Sequence, residues 1–299
     1  MSALWMVVAA FLFSIMGACV KLAGRDYGIA EIVFYRSIIG VLILFIFVRF
    51  RGLSLATPRA TVHLRRSLNG TAALALWFYA TKLLPLGTAM TLSYASSLYL
   101  AAAVIGVALH RRQHVDIRLT LAVLVGFVGV LLVLQPSFSS DQGLAALAGL
   151  FSGIFAAVAY WHVRELGQLG EPEWRTVLYF SMTGSLLGLS GSLISGFSPH
   201  TFQSALVLVA VGLSALLAQL ALTRALGSRH TLLVANLQYS SIVFASIFGM
   251  ALFDDRIPMI AWAGMTVIIV SAIAASSVTA RRRGAEPAEI VDVEPAAER

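Results

Sequence analysis

Apolar runs of similar length recur along the whole chain, and they constrain its fold more than any other feature. Each has close to the ~20 residues that an α-helix needs to cross the hydrocarbon core of a bilayer. All eight prolines lie in connections, at helix ends or in the tail, so continuous helices are expected. The runs span residues 3–23, 29–49, 65–83, 87–109, 118–135, 143–163, 174–194, 203–223, 231–252 and 259–279. The sequence therefore predicts an all-α integral membrane protein with ten transmembrane helices.

The shortage of charged residues indicates that lipid surrounds most of the protein. Only 12% of the residues are charged and 59% are hydrophobic, whereas a soluble domain has about 25% charged residues. The net charge of +7 does not indicate nucleic-acid binding, because the basic residues form short blocks between apolar runs. The predicted partners are therefore membrane lipid and a small-molecule substrate, with no nucleic acid.

The distribution of basic residues predicts how the chain sits in a bacterial-type inner membrane. With the N-terminus in the cytoplasm, sixteen of the 21 Lys and Arg residues fall in cytoplasmic segments and four in outer segments, as the positive-inside rule expects. Arg66 is counted among the sixteen, at the cytoplasmic start of the third helix, and Arg36 is left inside the second. Both termini are therefore predicted to be cytoplasmic in a multi-pass inner-membrane protein.

The chain also contains an internal duplication. FYATKLLPLGTA (78–89) resembles LALTRALGSRHT (220–231). Because each half has five helices, an odd number, the second half must enter the membrane in the opposite orientation, as in inverted-repeat transporters. The predicted division is a first five-helix repeat, a linker, a second five-helix repeat and a disordered cytoplasmic tail, at residues 1–135, 136–142, 143–280 and 281–299.

Polar and aromatic residues inside the runs are the candidates for a substrate site. Polar groups are costly in hydrocarbon and tend to face the bundle interior or a wet cavity. Amides and hydroxyls can bond an ammonium and a carboxylate, and aromatic rings pack apolar groups, so the set suits a neutral or zwitterionic solute. The predicted substrate-binding residues are Tyr79, Lys82, Ser93, Tyr94, Ser97, Tyr99, Trp161, His162, Gln219, Asn236, Gln238 and Tyr239. Each could instead only join helices or lie in an interfacial belt; Tyr79 and Tyr239 are the preferred candidates.

Charges within the spans are scarce. Arg36 is predicted to pair with Glu31, about one turn away, in a structural role. All fourteen acidic residues lie in loops, at helix ends or in the tail, so no midplane carboxylate is expected for a proton or a cationic cargo. Transport is therefore predicted to be facilitative or weakly coupled, with His162 as the group that could couple it to protons. Anionic cargo is disfavoured, since only Lys82 and Arg36 could face it.

Catalytic and metal motifs are missing from the sequence. It contains no G-x-x-x-x-G-K-[ST], no H-E-x-x-H and no convincing Ser/His/Asp set. The one cysteine, Cys19, allows no disulfide within the chain, and no Cys/His cluster has zinc spacing. We therefore predict that the protein is not an enzyme and has no cofactor and no metal site.

Three segments carry a resemblance to a known family. They are VFYRSIIG in the second helix, with Arg36, AMTLSYASSLYLAAAVIGVAL in the fourth, and VANLQYSSIVFASIFGMALFDDR in the ninth. Together with the ten helices in two halves, they resemble the EamA-type group of the drug/metabolite transporter superfamily. Within that group the chain is most similar to bacterial exporters of aromatic and other neutral amino acids. The resemblance implies efflux of small metabolites.

The predicted function is export of amino acids or similar small neutral metabolites across the inner membrane by alternating access. The substrate would bind in a central cavity between the halves, lined mainly by the third, fourth, sixth, eighth and ninth helices. Two alternatives stay open: a transporter of other cargo, such as drugs, cationic compounds or nucleotide-sugars, and a membrane protein that transports nothing. A monomer is predicted, with a dimer as the alternative.

Overall fold

The computed structural model describes residues 2–96, 98–99, 102, 105–106, 110, 117–134, 142–227 and 237–285. In this part of the chain all regular secondary structure is helical, and ten helices are defined. They are α1 (Ser2–Ala23), α2 (Ile29–Arg51), α3 (Ala60–Leu83), α4 (Leu86–Tyr94), α5 (Ile117–Leu134), α6 (Gly143–Gln168), α7 (Glu173–Ser195), α8 (Phe202–Leu226), α9 (Ser240–Phe253) and α10 (Met259–Ala285). The all-α fold class predicted from the sequence is confirmed for these residues.

Most helices follow the predicted runs, and the differences lie at their ends. α3 begins at Ala60, five residues before the predicted span, because apolarity marks the membrane-crossing part of a helix and not its first turn. α10 continues to Ala285, so the first residues of the predicted disordered tail are helical. The predicted fourth and ninth spans, 87–109 and 231–252, both include residues outside those described.

Several helices have the length and surface of membrane-spanning segments. Among the described residues, α1, α2, α6, α7 and α8 contain stretches long and apolar enough to cross a bilayer. Large apolar side chains cover the outside of the bundle: Phe50, Ile194 and Phe202 are 87%, 88% and 89% exposed. A surface of this kind is stable in lipid and not in water. The protein is therefore a multi-pass membrane protein, and the full count of ten crossings stays a prediction.

The two halves of the chain are interleaved. In the described part of the chain, the most extensive helix contacts join a helix before the linker to one after it: α1–α8, α3–α6, α2–α7, α5–α10, α1–α9, α4–α6, α2–α8, α3–α7 and α4–α9. If each helix of the first half is exchanged with the helix five places later, so that α1 exchanges with α6 and α2 with α7, the same set of pairs results. The buried interior is therefore a seam shared by both halves.

Glycines allow the closest of these contacts. A Cβ atom added to Gly188 of α7 would lie 2.6 Å from the backbone nitrogen of Phe34 in α2. One added to Gly184, a turn earlier, would lie 2.5 Å from Ser37 Oγ. Small residues spaced in this way let helix backbones approach closely in a membrane. The α2–α7 crossing thus depends on residues that have no side chain.

The connections gather at two ends of the bundle. The Asp255 end is formed by connections 24–28, 84–85, 196–201 and 254–258, and the Glu171 end by connections 52–59 and 169–172. In the predicted orientation the Asp255 end faces outward and the Glu171 end faces the cytoplasm.

Candidate functional site

A cavity of about 70 Å³ lies in the seam between the halves. Six helices contribute to its wall: α1, α3, α4, α6, α7 and α8. Its aromatic lining residues are Phe13, Trp77, Tyr94, Tyr160 and Phe180. Compared with the prediction, α1 and α7 join the wall and the described part of α9 does not. The volume is small beside the ~300–1,000 Å³ of common ligand pockets, so this conformation suits a small solute group and a larger one would need helix movement.

Among the described residues of the lining, the charged one is Arg66 of α3. The side chain is 3% exposed and its Nη2 donates a hydrogen bond to Gln219 Oε1 of α8 at 3.0 Å. Its guanidinium carbon lies 3.8 Å from the centroid of the Phe180 ring, a cation–π contact. Nε and Nη1 of Arg66 have no hydrogen-bond partner. Two guanidinium nitrogens of a buried cation beside the cavity thus have no acceptor for their hydrogen bonds.

Arg36 approaches the same aromatic ring, and the predicted pair with Glu31 does not form. Its guanidinium carbon lies 4.6 Å from the Phe180 centroid, and its Nε and Nη1 have no hydrogen-bond partner. The carboxylate of Glu31 instead accepts from the backbone N–H of Ser198, at 3.2 and 3.3 Å. Residues five apart on an α-helix are separated by about 140° around its axis, so these two side chains leave on different faces.

Tyr94 is held in the cavity wall by hydrogen bonds among three helices. Ser241 Oγ of α9 donates to the Tyr94 hydroxyl at 3.2 Å and also contacts the carbonyl of Ala10 in α1 at 3.2 Å. Ser14 Oγ contacts the carbonyl of Ser241 at 3.1 Å. The phenol is therefore fixed at the junction of α1, α4 and α9, with its ring facing the cavity.

The structure places the residues predicted from the sequence in several different surroundings. Ser93, Tyr94 and Gln219 line the cavity. Tyr79, Tyr99 and Tyr239 pack against or within the main hydrophobic cluster, away from the lining. The side chain of Gln238 is buried and also lies outside the lining.

The remaining predicted residues lie near the surface or beyond the described part. Trp161 is 56% exposed, as expected of a lipid-facing ring. Lys82 is exposed at the Asp255 end. His162 forms a contact of 3.0 Å with Glu165, three residues further along α6. Ser97 and Asn236 lie outside the described residues.

Sequence reasoning missed Arg66, Trp77 and Phe180 as site residues. Arg66 was counted as a cytoplasmic charge, whereas α3 begins at Ala60 and carries it into the second helical turn and the bundle interior. The signal that could have found it is the adjacency of Arg65 and Arg66, because neighbouring residues of an α-helix leave its axis about 100° apart and cannot both face the same surroundings. In the structure Arg65 is exposed and Arg66 is buried. No pattern in the sequence separates Trp77 and Phe180 from the other buried aromatic residues.

A network at the Glu171 end joins the α2–α3 connection to α7. The Glu171 carboxylate accepts from Thr57 Oγ1 at 2.5 Å and from Arg175 Nη1 at 2.9 Å, and lies 3.5 Å from His63 Nε2. Arg175 Nη2 also donates to the carbonyl of Ser54 at 2.9 Å. Burial by itself would raise the pKa of Glu171, but the bonds from Thr57 and Arg175 and the nearby positive charge outweigh it and hold the pKa below its usual value.

A smaller set of contacts at the Asp255 end joins α1, α4 and the α9–α10 connection. Lys21 Nζ lies 2.6 and 2.8 Å from the two carboxylate oxygens of Asp255. Asp255 Oδ2 also accepts from the backbone N–H of Leu86, the first residue of α4, at 2.8 Å. Lys21 donates further to the carbonyl of Leu84 at 3.2 Å. Both ends of the seam are thus closed by contacts between the halves.

A polar and aromatic cavity between two interleaved halves of a helical membrane protein is the arrangement expected of a small-molecule transporter. The comparisons with known proteins agree. Residues 1–135 match the EamA-like transporter family. The chain is 31% identical over 270 residues to the pseudopaline exporter CntI of Pseudomonas aeruginosa (strain UCBPP-PA14), covering 90% of this chain and 94% of that one. The protein belongs to the EamA-like transporter family, and the family predicted from the sequence is confirmed.

Two further similarities extend over most of the chain. The riboflavin transporter of Vibrio cholerae serotype O1 is 24% identical over 274 residues, which cover 90% of each chain. A solved crystal structure has a TM-score of 0.64 to this one, with 19% identity, over 94% of this chain and 99% of the other. At that identity the structural match shows the fold alone.

Proposed function

We propose that this protein exports amino acids or similar small neutral metabolites across the inner membrane by alternating access. The observation that carries the proposal is the cavity in the seam, which combines aromatic rings with the polar side chains of Ser93 and Gln219. Rings pack the apolar part of a solute, while hydroxyl and amide groups bond its polar part. The family and the relatives named as transporters support a role in moving small molecules.

The helix pairing supports an inverted repeat with halves at residues 1–135 and 143–280. A two-fold axis in the membrane plane would relate each helix to the one five places later, and the observed contact pairs obey this exchange. The same arrangement supports a cytoplasmic location for both the N-terminus and the C-terminus. Rocking of the halves would then open the Asp255 end and the Glu171 end in turn.

The lining also bears on energy coupling. Among the described residues, those that line the cavity include no carboxylate, the group on which proton antiport most often depends in a membrane. His162 pairs with Glu165 outside the lining. We therefore propose facilitative or weakly coupled export.

Flux measurements on purified protein in liposomes test this function. Efflux of radiolabelled phenylalanine, leucine and serine would be measured with and without a pH gradient. We expect saturable flux of at least one amino acid, a change of less than about threefold on removing the gradient, and loss of flux in Trp77→Ala. Trp5→Ala, an exposed tryptophan of α1, is the matched control and should retain it.

Three results would count against parts of the proposal. Flux no greater than in empty liposomes would reject transport of amino acids. Strict dependence on the pH gradient would reject facilitative export. Protease or tag accessibility that places the two termini on opposite sides of the membrane would reject the inverted repeat, since each half then could not hold five crossings.

A further inference from the structure

We propose that the cavity binds its cargo through a carboxylate group, which is held by the guanidinium of Arg66 with the positive charge of Arg36 beside it. The cargo is therefore a carboxylate-bearing small molecule with an apolar or aromatic remainder, and net anionic acids are included. This inference rests on the proposed function, since it names the group by which a transported solute is recognised. It also reverses the sequence-based expectation that anionic cargo is disfavoured.

The first argument is the unmet hydrogen-bonding capacity of the two arginines. Arg66 and Arg36 are each 3% exposed, and each has two guanidinium nitrogens with no hydrogen-bond partner. Unpaired donors on a buried charged group are among the most expensive features that a folded protein can contain. An acceptor that enters the cavity beside Arg66 would accept hydrogen bonds from its unpaired N–H donors.

The second argument is charge. Both guanidinium groups contact Phe180, at 3.8 and 4.6 Å from its centroid, and the ring can stabilise them only in part. Among the described residues, the ion pairs place the carboxylates elsewhere: Asp255 with Lys21 and Glu171 with Arg175. Two like charges close together in a low-dielectric interior repel each other. One anion in the cavity beside Arg66 would relieve that repulsion, which no neutral solute can do.

The third argument is shape. A guanidinium presents its donors in a plane, and this plane matches the two oxygens of a carboxylate. Gln219 orients Arg66 through the hydrogen bond at 3.0 Å, so the guanidinium group is positioned before the ligand binds. Trp77 and Tyr160 supply apolar surface around it. A phosphate would satisfy the same donors, but the small and largely aromatic cavity favours the less hydrated carboxylate.

Binding to the full-length protein in detergent tests this inference with matched pairs of probes. The pairs are 3-phenylpropionate with 3-phenylpropionamide, and phenylacetate with phenylacetamide, which differ within a pair only at the carboxyl group. Phenyl phosphate is the test for phosphate. We expect the acids to bind at least about 10-fold more tightly than their amides, as loss of a charge-assisted hydrogen bond implies. We expect phenyl phosphate to bind more weakly than either acid.

Variants of adjacent residues assign the binding to Arg66. Arg66→Gln should weaken the acids by about 10–100-fold and leave the amides unchanged, and Arg66→Lys should recover only part of the loss because it keeps the charge without the planar guanidinium group. Arg65→Gln, which removes an exposed arginine one position away, should change binding by less than about twofold. If the Arg66 variants do not fold, thermal stabilisation of the wild-type protein by the acids and not by the amides carries the test.

The outcomes separate this inference from the proposed function. Equal affinity for acids and amides, or equal loss of both in Arg66→Gln, would show that the arginines only support the packing of Phe180 and would overturn the carboxylate site. If phenyl phosphate binds more tightly than the acids, the site is a phosphate site and the proposed class is wrong. Acid binding without any amino-acid flux would keep the carboxylate site and reject export, whereas flux without preference for acids would do the reverse.

Discussion

At the Asp255 end of the bundle one carboxylate by itself joins α1, α4 and the α9–α10 connection, whereas at the Glu171 end the carboxylate is one of several groups that join the α2–α3 connection to α7. The Asp255 carboxylate forms an ion pair with Lys21 and accepts a hydrogen bond from the first backbone N–H of α4. The Glu171 carboxylate accepts hydrogen bonds from Thr57 and Arg175. In addition, Arg175 donates to the carbonyl of Ser54, and Tyr179 donates to the carbonyl of Leu55. The contacts of Lys21 and of α4 with the α9–α10 connection thus converge on one side chain, whereas those of the α2–α3 connection are distributed over several.

The difference has a consequence for how each end opens. Contacts that all pass through one carboxylate break together and in one step. When contacts are distributed, each can break while the others persist, so the loop can loosen without release of the helices. We therefore expect the contact of Asp255 with α1 and α4 to behave as an all-or-none latch, and the Glu171 end to tolerate the loss of any one contact.

The largest effect should follow from Asp255→Asn. This change removes the charge that Lys21 pairs with, and both side chains are largely buried, at 15% and 10% exposure. We expect a loss of about 2–4 kcal/mol in the free energy of unfolding in detergent, because a largely buried cation is left without a counter-charge. Cys19, two residues before Lys21 and the one cysteine of the chain, reports the opening: its alkylation by a water-soluble maleimide should become several-fold faster.

Asp254→Asn is the matched control. Asp254 is exposed and has a left-handed backbone, with φ of 52°, which asparagine also adopts readily. Stability and Cys19 labelling should both stay close to those of the wild-type protein. The latch would be the wrong description if Asp255→Asn changed the two quantities no more than Asp254→Asn does.

A smaller effect is expected for Glu171→Gln. The neutral amide can still accept from Thr57, and Arg175 keeps its bond to the carbonyl of Ser54. We expect the free energy of unfolding to fall by about 1–2 kcal/mol, measured by denaturant titration in the same detergent. Glu173→Gln, two residues further on, controls for the loss of one negative charge near the start of α7 and should change the same quantity by about 0.5 kcal/mol or less. A loss equal to that of Asp255→Asn would contradict the distributed arrangement.

The pH dependence of stability sharpens the same comparison. The pKa of Glu171 is lowered in the folded protein, because hydrogen bonds and positive charge outweigh its burial. Its contribution is therefore present above the ordinary value of 4.5 and is lost as the pH falls through the lowered folded-state pKa. The difference in unfolding free energy between the wild-type protein and Glu171→Gln should be constant near neutral pH and shrink below about pH 4.5. A difference that grew on acidification would show the opposite sign of the shift.

The smallest effect is expected for Tyr179→Phe. The change removes the hydroxyl that donates to the carbonyl of Leu55 at 3.1 Å, and retains the ring that stacks on His63 at 4.7 Å. We expect the free energy of unfolding to fall by about 0.5–1 kcal/mol, the usual net value of one hydrogen bond. Tyr179→Ala, which also removes the ring, should cost clearly more. Equal losses in the two variants would mean that the stacking contributes nothing.

The candidate site could be predicted from the sequence only in part. Ser93, Tyr94 and Gln219 were identified because a polar residue in an apolar run is costly unless it faces other protein or water. The same argument selected Tyr79 and Tyr239, which pack in the hydrophobic cluster instead. The polarity of a residue is local information, whereas the side of the helix that faces a cavity depends on how that helix is rotated against its neighbours.

Arg66 shows the opposite error. Near the end of an apolar run, an arginine is ordinarily a charge in the headgroup region. Its burial follows from the early start of α3 and from Phe180 and Gln219, which come from α7 and α8 in the other half of the chain. No residue close to Arg66 in the sequence indicates these partners, since they are more than one hundred positions away.

The sequence by itself determined that this is a helical membrane protein, because the length and apolarity of each run are set by the thickness of the bilayer. Its resemblance to the EamA-type family in three segments indicated the family. Only the tertiary structure decided which polar groups meet. Helices of the two halves alternate across the seam, so each wall of the cavity is made of residues that are distant in the chain. Hydrophobicity places a residue in the membrane, but the packing of one helix against another decides whether it faces lipid, a neighbouring helix or the cavity.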